Sequence, residues 1–326
     1  MILVTGGSGF IGSHLVERLC SCGGERVRCL VRQKKIRRKN DMGFPPQAEA
    51  VFGELISSAG MEEALQGVDT VIHVAGVTKA LTADDYYAGN LRATENLARA
   101  MAGRAIRLVH VSSLAAAGPS PDGTPLGEDA APHPLTHYGK SKLAAEQVVR
   151  ELIPDAVIVR PPVVYGPRDI DVFQILKSFT QGLAFQIAGG ERWFSAIYVK
   201  DLVDGLITAA RAPQAAGRTY FLANSKPVSW SELGQATARI TGRKVRTLRV
   251  PGAIAYAAGW CAEMGAHLTG KPGIISREKV REAQCPYWTC DTRRAAEEIG
   301  FEARTPLDHG LAETLAWYRE AGWLKY

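Results

Sequence analysis

The sequence predicts an α/β protein: a doubly wound parallel sheet carrying a smaller C-terminal α/β lobe. Three observations predict it. Short, uninterrupted apolar runs recur through the first half, as strands buried on both faces would. Segments with helical apolar spacing separate them. A glycine-rich turn joins the first apolar run to the first such helix. The chain has 326 residues, enough for one large α/β domain or for a larger and a smaller lobe. We expect residues 1–165 to form a dinucleotide-binding unit. Residues 166–326 are expected to form mainly a substrate lobe interwoven with it.

The first run is Ile2, Leu3 and Val4, followed by Gly6-Gly7-Ser8-Gly9. Apolar spacing then turns helical at Phe10, Ile11, Leu15, Val16 and Leu19. Strand, glycine turn and helix together predict dinucleotide binding. Without Cβ atoms the backbone approaches a pyrophosphate closely, and the helix N-terminus offers it free N–H groups and partial positive charge. Gly12, one turn on, lets helix and strand pack closely. Spacing alone permits two readings, Gly7-x-Gly9-x-x-Gly12 or Gly6-x-x-Gly9-x-x-Gly12.

Residues 26–32 (RVRCLVR) read as the second strand. An acidic residue at its end would accept bonds from the adenosine ribose, whereas Arg suits a 2′-phosphate. Here it is Arg32, followed by Lys34 and Lys35, which favours NADP over NAD; Arg37, Arg38 and Lys39 read as a solvated loop. Residues 48–52 form the third strand, after which Glu54 and Leu55 are placed to flank the adenine. A short helix follows at 61–66. Residues 69–75 (DTVIHVA) form the fourth strand, with Ala75-Gly76 a small-residue turn at the carboxyl end, where open parallel sheets bind ligands. His73 lies inside that strand and reads as a core histidine. A long helix spans 84–102. The fifth strand, 106–112, ends at Ser112-Ser113, ahead of small residues at 114–118 and a loop at 119–134. A helix at 138–152 and a strand at 156–160 complete the alternation. Beyond 167 it loosens into short strands (185–188, 219–222, 246–250) and helices (171–181, 199–211, 231–241, 292–299, 307–318).

Hydrophobic content of 46% and charged content of 22% are those of an ordinary water-soluble fold. The net charge of +6 sits largely in residues 33–40 (QKKIRRKN), so the basic balance does not indicate a nucleic-acid partner. Six cysteines lack metal-ligand spacing, so no metal is expected. Reduced, mostly buried thiols in a cytoplasmic protein are expected. Met1 leads directly into the first strand, so no leader is expected. Residues 250–268 are the most apolar long segment but contain Pro251, Glu263 and His267. They fall short of a membrane span and read as a packed helix, with a helix lying on a membrane surface as the alternative.

Tyr138 and Lys142 stand one turn apart on a predicted helix and project from one face. A phenol ionises near pH 10, and an adjacent ammonium favours the phenolate. Such a Tyr exchanges a proton with a carbinol oxygen while hydride moves to or from a nicotinamide. Lys142 is also placed to bond the nicotinamide ribose, and Ser112 or Ser113 to polarise a carbonyl.

Taken together, these motifs resemble the extended short-chain dehydrogenase/reductases, the branch that includes nucleotide-sugar epimerases and dehydratases. The resemblance covers essentially the whole chain. TGGSGFIG is similar to the family's TGxxGxxG turn, which selects Gly6, Gly9 and Gly12, with Phe10 and Ile11 beside the cofactor. Val74-Ala75-Gly76 resembles the fourth-strand turn and extends the implied cofactor contacts to Thr78. NLRATEN resembles the NxxGTxN helix, giving Asn90, with Ala93 where Gly is usual. Ser113 takes the catalytic serine's place, and YGKSK resembles YxxSK, giving Tyr138 and Lys142. RPPVVYGP resembles the stretch lining the nicotinamide side, implying Pro161 and Val164. Trp317-Tyr318 and Gly322-Trp323 resemble the terminal helix. The resemblance also implies a homodimer, paired through helices 84–102 and 138–152 into a four-helix bundle with Leu91, Leu97, Leu143, Val148 and Leu152 as apolar positions.

The family's epimerases carry an Arg that grips the nucleotide diphosphate; Phe194 stands there here, and Arg192 lies two residues earlier. Losing a bidentate clamp removes one of the stronger polar contacts. Trp193, Phe194, Tyr165 and segment 254–268 are expected to line an apolar pocket. Ser113, Tyr165, Arg192 and Phe194 are the expected substrate contacts. The expectation is an NADP-dependent alcohol/ketone oxidoreductase for a hydrophobic cyclic substrate, resembling the 3β-hydroxysteroid dehydrogenases and dihydroflavonol reductases. The alternatives are a nucleotide-sugar 4-epimerase or dehydratase with tightly bound NAD(P), and a cofactor-sensing protein without turnover.

Overall fold

The computed structural model describes residues 1–32, 43–273 and 275–325. Lys35 and the rest of the basic run therefore lie outside the described residues. Seven strands pair in parallel: β1 (Ile2–Thr5), β2 (Val27–Val31), β3 (Ala48–Phe52), β4 (Thr70–His73), β5 (Arg107–Val111), β6 (Val157–Val159) and, from much later in the chain, Thr219–Tyr220. That last strand completes the sheet beside β6, and β3 forms the other edge. The order reverses between β1 and β4, the place where a doubly wound sheet opens a crevice.

Strand residues alternate between two helical layers, as the pleat requires. Leu3, Val71, Leu108 and Ile158 pack under α2 (Met61–Leu65) and the helices carrying Leu97, Met101 and Val149. Val4, Ile72, Val109 and Val159 face α1 (Phe10–Cys22), where Leu15, Val16 and Leu19 are buried. Each such leucine contributes about 1.5–3 kcal/mol by leaving water. The expected helix at 84–102 is a composite: α3 (Ala83–Tyr86), a π-helical turn over Tyr87–Arg92, and α4 (Ala93–Met101). Two helices follow β5: α5 (Leu114–Ala117) and α6 (His137–Leu152). Of the leucines assigned to a dimer seam, Leu97 is instead fully buried beneath the sheet, while Leu91, Leu143, Val148 and Leu152 are half-buried.

The second lobe is built from strand pairs too short for periodicity to reveal. β7 (Val163–Tyr165) pairs with β10 (Ala196–Tyr198). β9 (Trp193–Phe194) lies between β12 (Val228–Ser229) and β14 (Tyr287–Trp288). β8 (Leu183–Ile187) pairs in parallel with β13 (Arg246–Val250). The strand of residues 219–220 is β11. The helices are α7 (Asp171–Thr180), α8 (Val199–Arg211), α9 (Trp230–Thr241), α10 (Gly252–Thr269), α11 (Arg277–Gln284), α12 (Arg293–Ile299) and α13 (Leu307–Glu320). α8 joins α1 against the sheet, while Phe173, Phe179, Leu311 and Tyr318 form the lobe's own core.

Two expectations need correction. The apolar segment 250–268 is helical from Gly252 but packs on one side alone, against α11: Gly259 is the buried residue of α10, and Ile254, Tyr256, Trp260, Met264 and Leu268 are exposed. No described helix is long and apolar enough to cross a membrane. The cysteines are also less buried than expected. Cys29 and Cys290 are buried, Cys20 and Cys285 half-buried, and Cys22 and Cys261 exposed, all as free thiols.

Candidate active site

The glycine turn is chosen by sterics. Gly6 has φ +73°, and a Cβ there would lie 2.7 Å from the Ala75 nitrogen. A Cβ on Gly12 would sit 2.1 Å from the Gly6 carbonyl oxygen. Gly9 closes the turn by donating its N–H to that oxygen at 2.9 Å. Gly7 and Gly9 both have ordinary φ, and a Cβ on either would meet its nearest atom at 3.1–3.2 Å, so Gly6 and Gly12 are the positions that exclude a side chain. Above the turn opens a cavity of about 500 Å³. It gathers Gly6, Gly9, Phe10, Ile11, Gly12, Arg32, Glu54, Leu55, Val74, Ala75, Gly76 and Thr78. A Cβ-free cradle at a helix N-terminus, continuing across the β1/β4 reversal, fits a dinucleotide. Arg32 lies at the carboxyl end of β2, and the Glu54 carboxylate accepts a bond from the Ser57 hydroxyl at 3.1 Å.

Asn90 does not line this cavity. It is buried, accepting from the Val77 N–H at 2.7 Å and donating to the Val77 carbonyl at 3.0 Å and the Ser141 hydroxyl at 2.9 Å. It braces the Val77–Thr78 turn against α6 and is better described as a positioning residue. Asn96 does the same for the turn after β3, donating to the carbonyls of Leu55 and Ile56. His73 is a core residue as expected: fully buried, bonded to Thr5 and Thr94, and held by burial, with Lys142 nearby, down to about 3. Pro161 is buried and Val164 packs between the two cores. Their neighbours Pro162 and Val163 line the second cavity instead.

Ser113 and Tyr138 converge through close helix packing, while Lys142, one turn on, turns toward β5. Thr136 caps α6, accepting the Gly139 N–H at 3.2 Å, and so sets Tyr138 in the first turn. A Cβ on Gly139 would lie 2.3 Å from the Ala115 carbonyl, so this glycine lets α5 and α6 touch. Ser113 caps α5, its Oγ accepting the Ala115 N–H at 3.1 Å. Ser112 is buried and donates to Glu146 at 2.5 Å, which leaves Ser113 as the hydroxyl open to the pocket. Glu146 also takes two bonds from buried Arg160, at 2.9 and 2.7 Å.

The electrostatics differ from expectation. Burial pushes the Tyr138 phenol above its ordinary value, while the Ser113 hydroxyl and the Lys279 ammonium pull it back. The cation acting most strongly on it is therefore Lys279, whose Nζ lies 5.9 Å from the Tyr138 ring centre, and not Lys142. Lys142 is buried beside Gly76 and donates to the Val111 carbonyl at 2.7 Å; burial, opposed by Glu146, lowers it to about 8. Lys279, whose side chain is 47% exposed, is itself raised: partial desolvation works against its charge, but Glu282, 2.7 Å away, outweighs it. Lys279 and Glu282 carry no sequence signal, because α11 (REKVREAQ) shows one buried apolar residue and no stripe.

Ser113 and Tyr138 open onto a second cavity of about 420 Å³, walled by Phe185, Ile187, Trp193, Phe194, Trp230 and Trp288. Arg192 reaches its rim, but the guanidinium donates to the carbonyls of Ala283, Gly190 and Gly189. Tyr165 does not line it; it is buried in the lobe core, against Tyr198 and Gly310. Segment 254–268 does not line it either. Tyr256, Glu263, Ala266 and His267 face a neighbouring cavity of about 370 Å³ beside Tyr86 and Lys79.

The site compares directly with known proteins. A sequence model described as the NAD dependent epimerase/dehydratase family matches residues 2–223. The ceramide reductase of Caulobacter vibrioides (strain NA1000 / CB15N) is 30% identical over 99% of this chain and 96% of that protein. The N-acetyl-alpha-D-glucosaminyl-diphospho-ditrans,octacis-undecaprenol 4-epimerase of Escherichia coli O157:H7 is 26% identical, covering 97% of this chain and 94% of that one. The solved structure of MoeE5 in complex with UDP-glucuronic acid and NAD is 26% identical, with a TM-score of 0.77 over 98% of this chain and 99% of that one.

Proposed function

The chain belongs to the NAD dependent epimerase/dehydratase family, and from its site we propose an NADP-dependent oxidoreductase that interconverts a ketone and a secondary alcohol on a hydrophobic, lipid-like substrate. One observation carries the substrate class: Ser113 and Tyr138 face an aromatic-walled pocket whose one lining arginine, Arg192, is bonded to backbone carbonyls. The pocket's other cation, Lys279, is paired with Glu282 at 2.7 Å, so a diphosphate finds no free clamp among the described lining residues, whereas a ring or alkyl chain finds flat apolar walls. The activity named for the Caulobacter relative, a ceramide reductase, points the same way.

Bound NADPH would supply the hydride. Tyr138 donates its proton to the carbonyl oxygen, and Lys279 stabilises the phenolate that remains. The Ser113 hydroxyl accepts the Ala115 N–H and bonds the Tyr138 phenol, and with substrate present it would turn its proton to the same carbonyl. Lys142, whose Nζ lies beside Gly76 and now donates to the Val111 carbonyl, would hold the nicotinamide ribose.

Incubation with NADPH and long-chain or steroidal ketones is expected to consume cofactor stoichiometrically. Interconversion of UDP-hexoses without net cofactor consumption would overturn the proposal. Wild type is expected to prefer NADPH to NADH, since Arg32 suits a 2′-phosphate. Arg32→Asp is expected to weaken NADPH binding by roughly 10–100-fold, the scale of a lost charged hydrogen bond; fluorescence titration reads it, and equal affinities in wild type refute it. Lys279→Gln is expected to move the alkaline rise of alcohol oxidation to higher pH, because the phenolate loses its cation. A pH–rate profile unchanged by Lys279→Gln would remove Lys279 from the mechanism. We also propose that two copies pair through the α4 and α6 surfaces; a monomer mass by light scattering at micromolar concentration would refute it.

A further inference from the structure

We propose that α10 is a membrane-docking helix that seats the protein on an anionic lipid bilayer beside the mouth of the substrate pocket. This goes beyond the reading of the reaction and does not rest on it. A surface helix in a water-soluble protein keeps a polar face toward solvent. α10 has none. Its 18 residues hold one charged side chain, Glu263, and that carboxylate is taken by Arg277 at 2.6 Å. Trp260 is 52% exposed and Leu268 85%, and Ile254, Met264 and Ile275 are exposed with them. An apolar surface of this extent marks a binding face.

Charge identifies what covers it. No Asp or Glu occurs between Glu232 and Glu263, while Arg243, Lys244, Arg246 and Arg249 stand exposed on the approach to α10, and Lys271 follows its end. None of these five is within 4 Å of a carboxylate among the described residues. Pairing two copies through this face would bring the cations of both together, whereas anionic headgroups would neutralise them. The helix is about 27 Å long at 1.5 Å per residue and does not qualify as a span, so it lies in the interface rather than crossing it.

The surface is continuous with the pocket. β13 leads through Pro251 directly into α10, and in its register with β8 Leu248 stands opposite Phe185. Both side chains are exposed, and Phe185 also lines the pocket. On the other side α10 packs against α11, whose Lys279 and Glu282 line the pocket too. The apolar surface around α10 therefore runs through Leu248 and Phe185 to the rim of the pocket that holds Tyr138.

The full chain is tested by sedimentation with vesicles of phosphatidylcholine alone and of phosphatidylcholine mixed with phosphatidylglycerol. Binding to the mixed vesicles is expected, weakened by salt and by omission of the anionic lipid. Each cation near such a surface contributes roughly fivefold, so Arg246→Glu with Arg249→Glu should cost about 30-fold or more. Trp260→Glu with Leu268→Glu should abolish binding, with thermal melting and NADPH affinity unchanged. Absence of binding to the mixed vesicles would overturn the proposal, as would equal binding by these variants. So would a wild-type oligomer that Trp260→Glu with Leu268→Glu dissociates, accompanied by no vesicle affinity.

Discussion

Tyr138→Phe is expected to lower the rate of hydride transfer by about 10²–10⁴-fold, the range for loss of a general acid–base group. The substitution removes one oxygen and leaves the ring to pack near Tyr86, with centroids 6.2 Å apart, so the fold and the cofactor cleft stay as they are. Cofactor affinity should therefore hardly move, and the loss should fall on kcat. Single-turnover measurement with pre-bound NADPH reads this directly. Near-normal turnover would remove Tyr138 from the chemistry and, with it, the proposed reaction. Ser113→Ala should cost less, because the phenol still protonates the carbonyl oxygen. Ser112→Ala should act on stability instead, since Ser112 is bonded to Glu146.

Glu146→Ala is expected to destabilise the protein by about 3–5 kcal/mol, the scale for stranding one partner of a buried ion pair. Glu146 is fully buried, and only 4% of the Arg160 side chain is exposed. The carboxylate takes two bonds from that guanidinium and one from Ser112. Arg160 Nη1 already lacks a partner, and its charge rests over the Phe221 ring at 5.8 Å. Removing Glu146 leaves a cation in the layer behind β5 and β6 with nothing to neutralise it. Against the 5–15 kcal/mol that holds a typical domain, this is a large fraction. Urea unfolding should show a lower midpoint with an unchanged slope. A loss below about 1 kcal/mol would mean that water reaches Arg160 in the folded state.

The cofactor half was legible because its signals are local. A glycine turn, a two-sided apolar strand and a helix start all lie within Ile2–His14, and each is a consequence of backbone sterics or pleat. The Tyr138–Lys142 spacing is local as well. What sequence reasoning missed depends on elements far apart in the chain. Tyr165 is apolar enough for a pocket wall, yet the β7–β10 pairing turns it into the lobe core. Asn90 looked like a ligand contact, and its bonds to Val77 and Ser141 need two other elements to be seen. Lys142 sits one turn from Tyr138, but a carbonyl on β5 takes its ammonium, while Lys279 arrives from α11, more than a hundred residues on. Trp230 and Trp288 show no periodicity and become pocket walls only through β9.

The placement of β11 at the end of the sheet has a consequence for biosynthesis. β6 is complete at residue 159, but the strand that covers its outer edge begins only at residue 219. At 5–20 residues per second, a ribosome needs roughly 3–12 s to deliver the intervening stretch. For that interval the nascent sheet presents Val157, Ile158 and Val159 as an unpaired apolar edge, the kind that recruits a second chain. The nascent sheet therefore keeps this edge open until β11 leaves the exit tunnel, and only then is the parallel order complete.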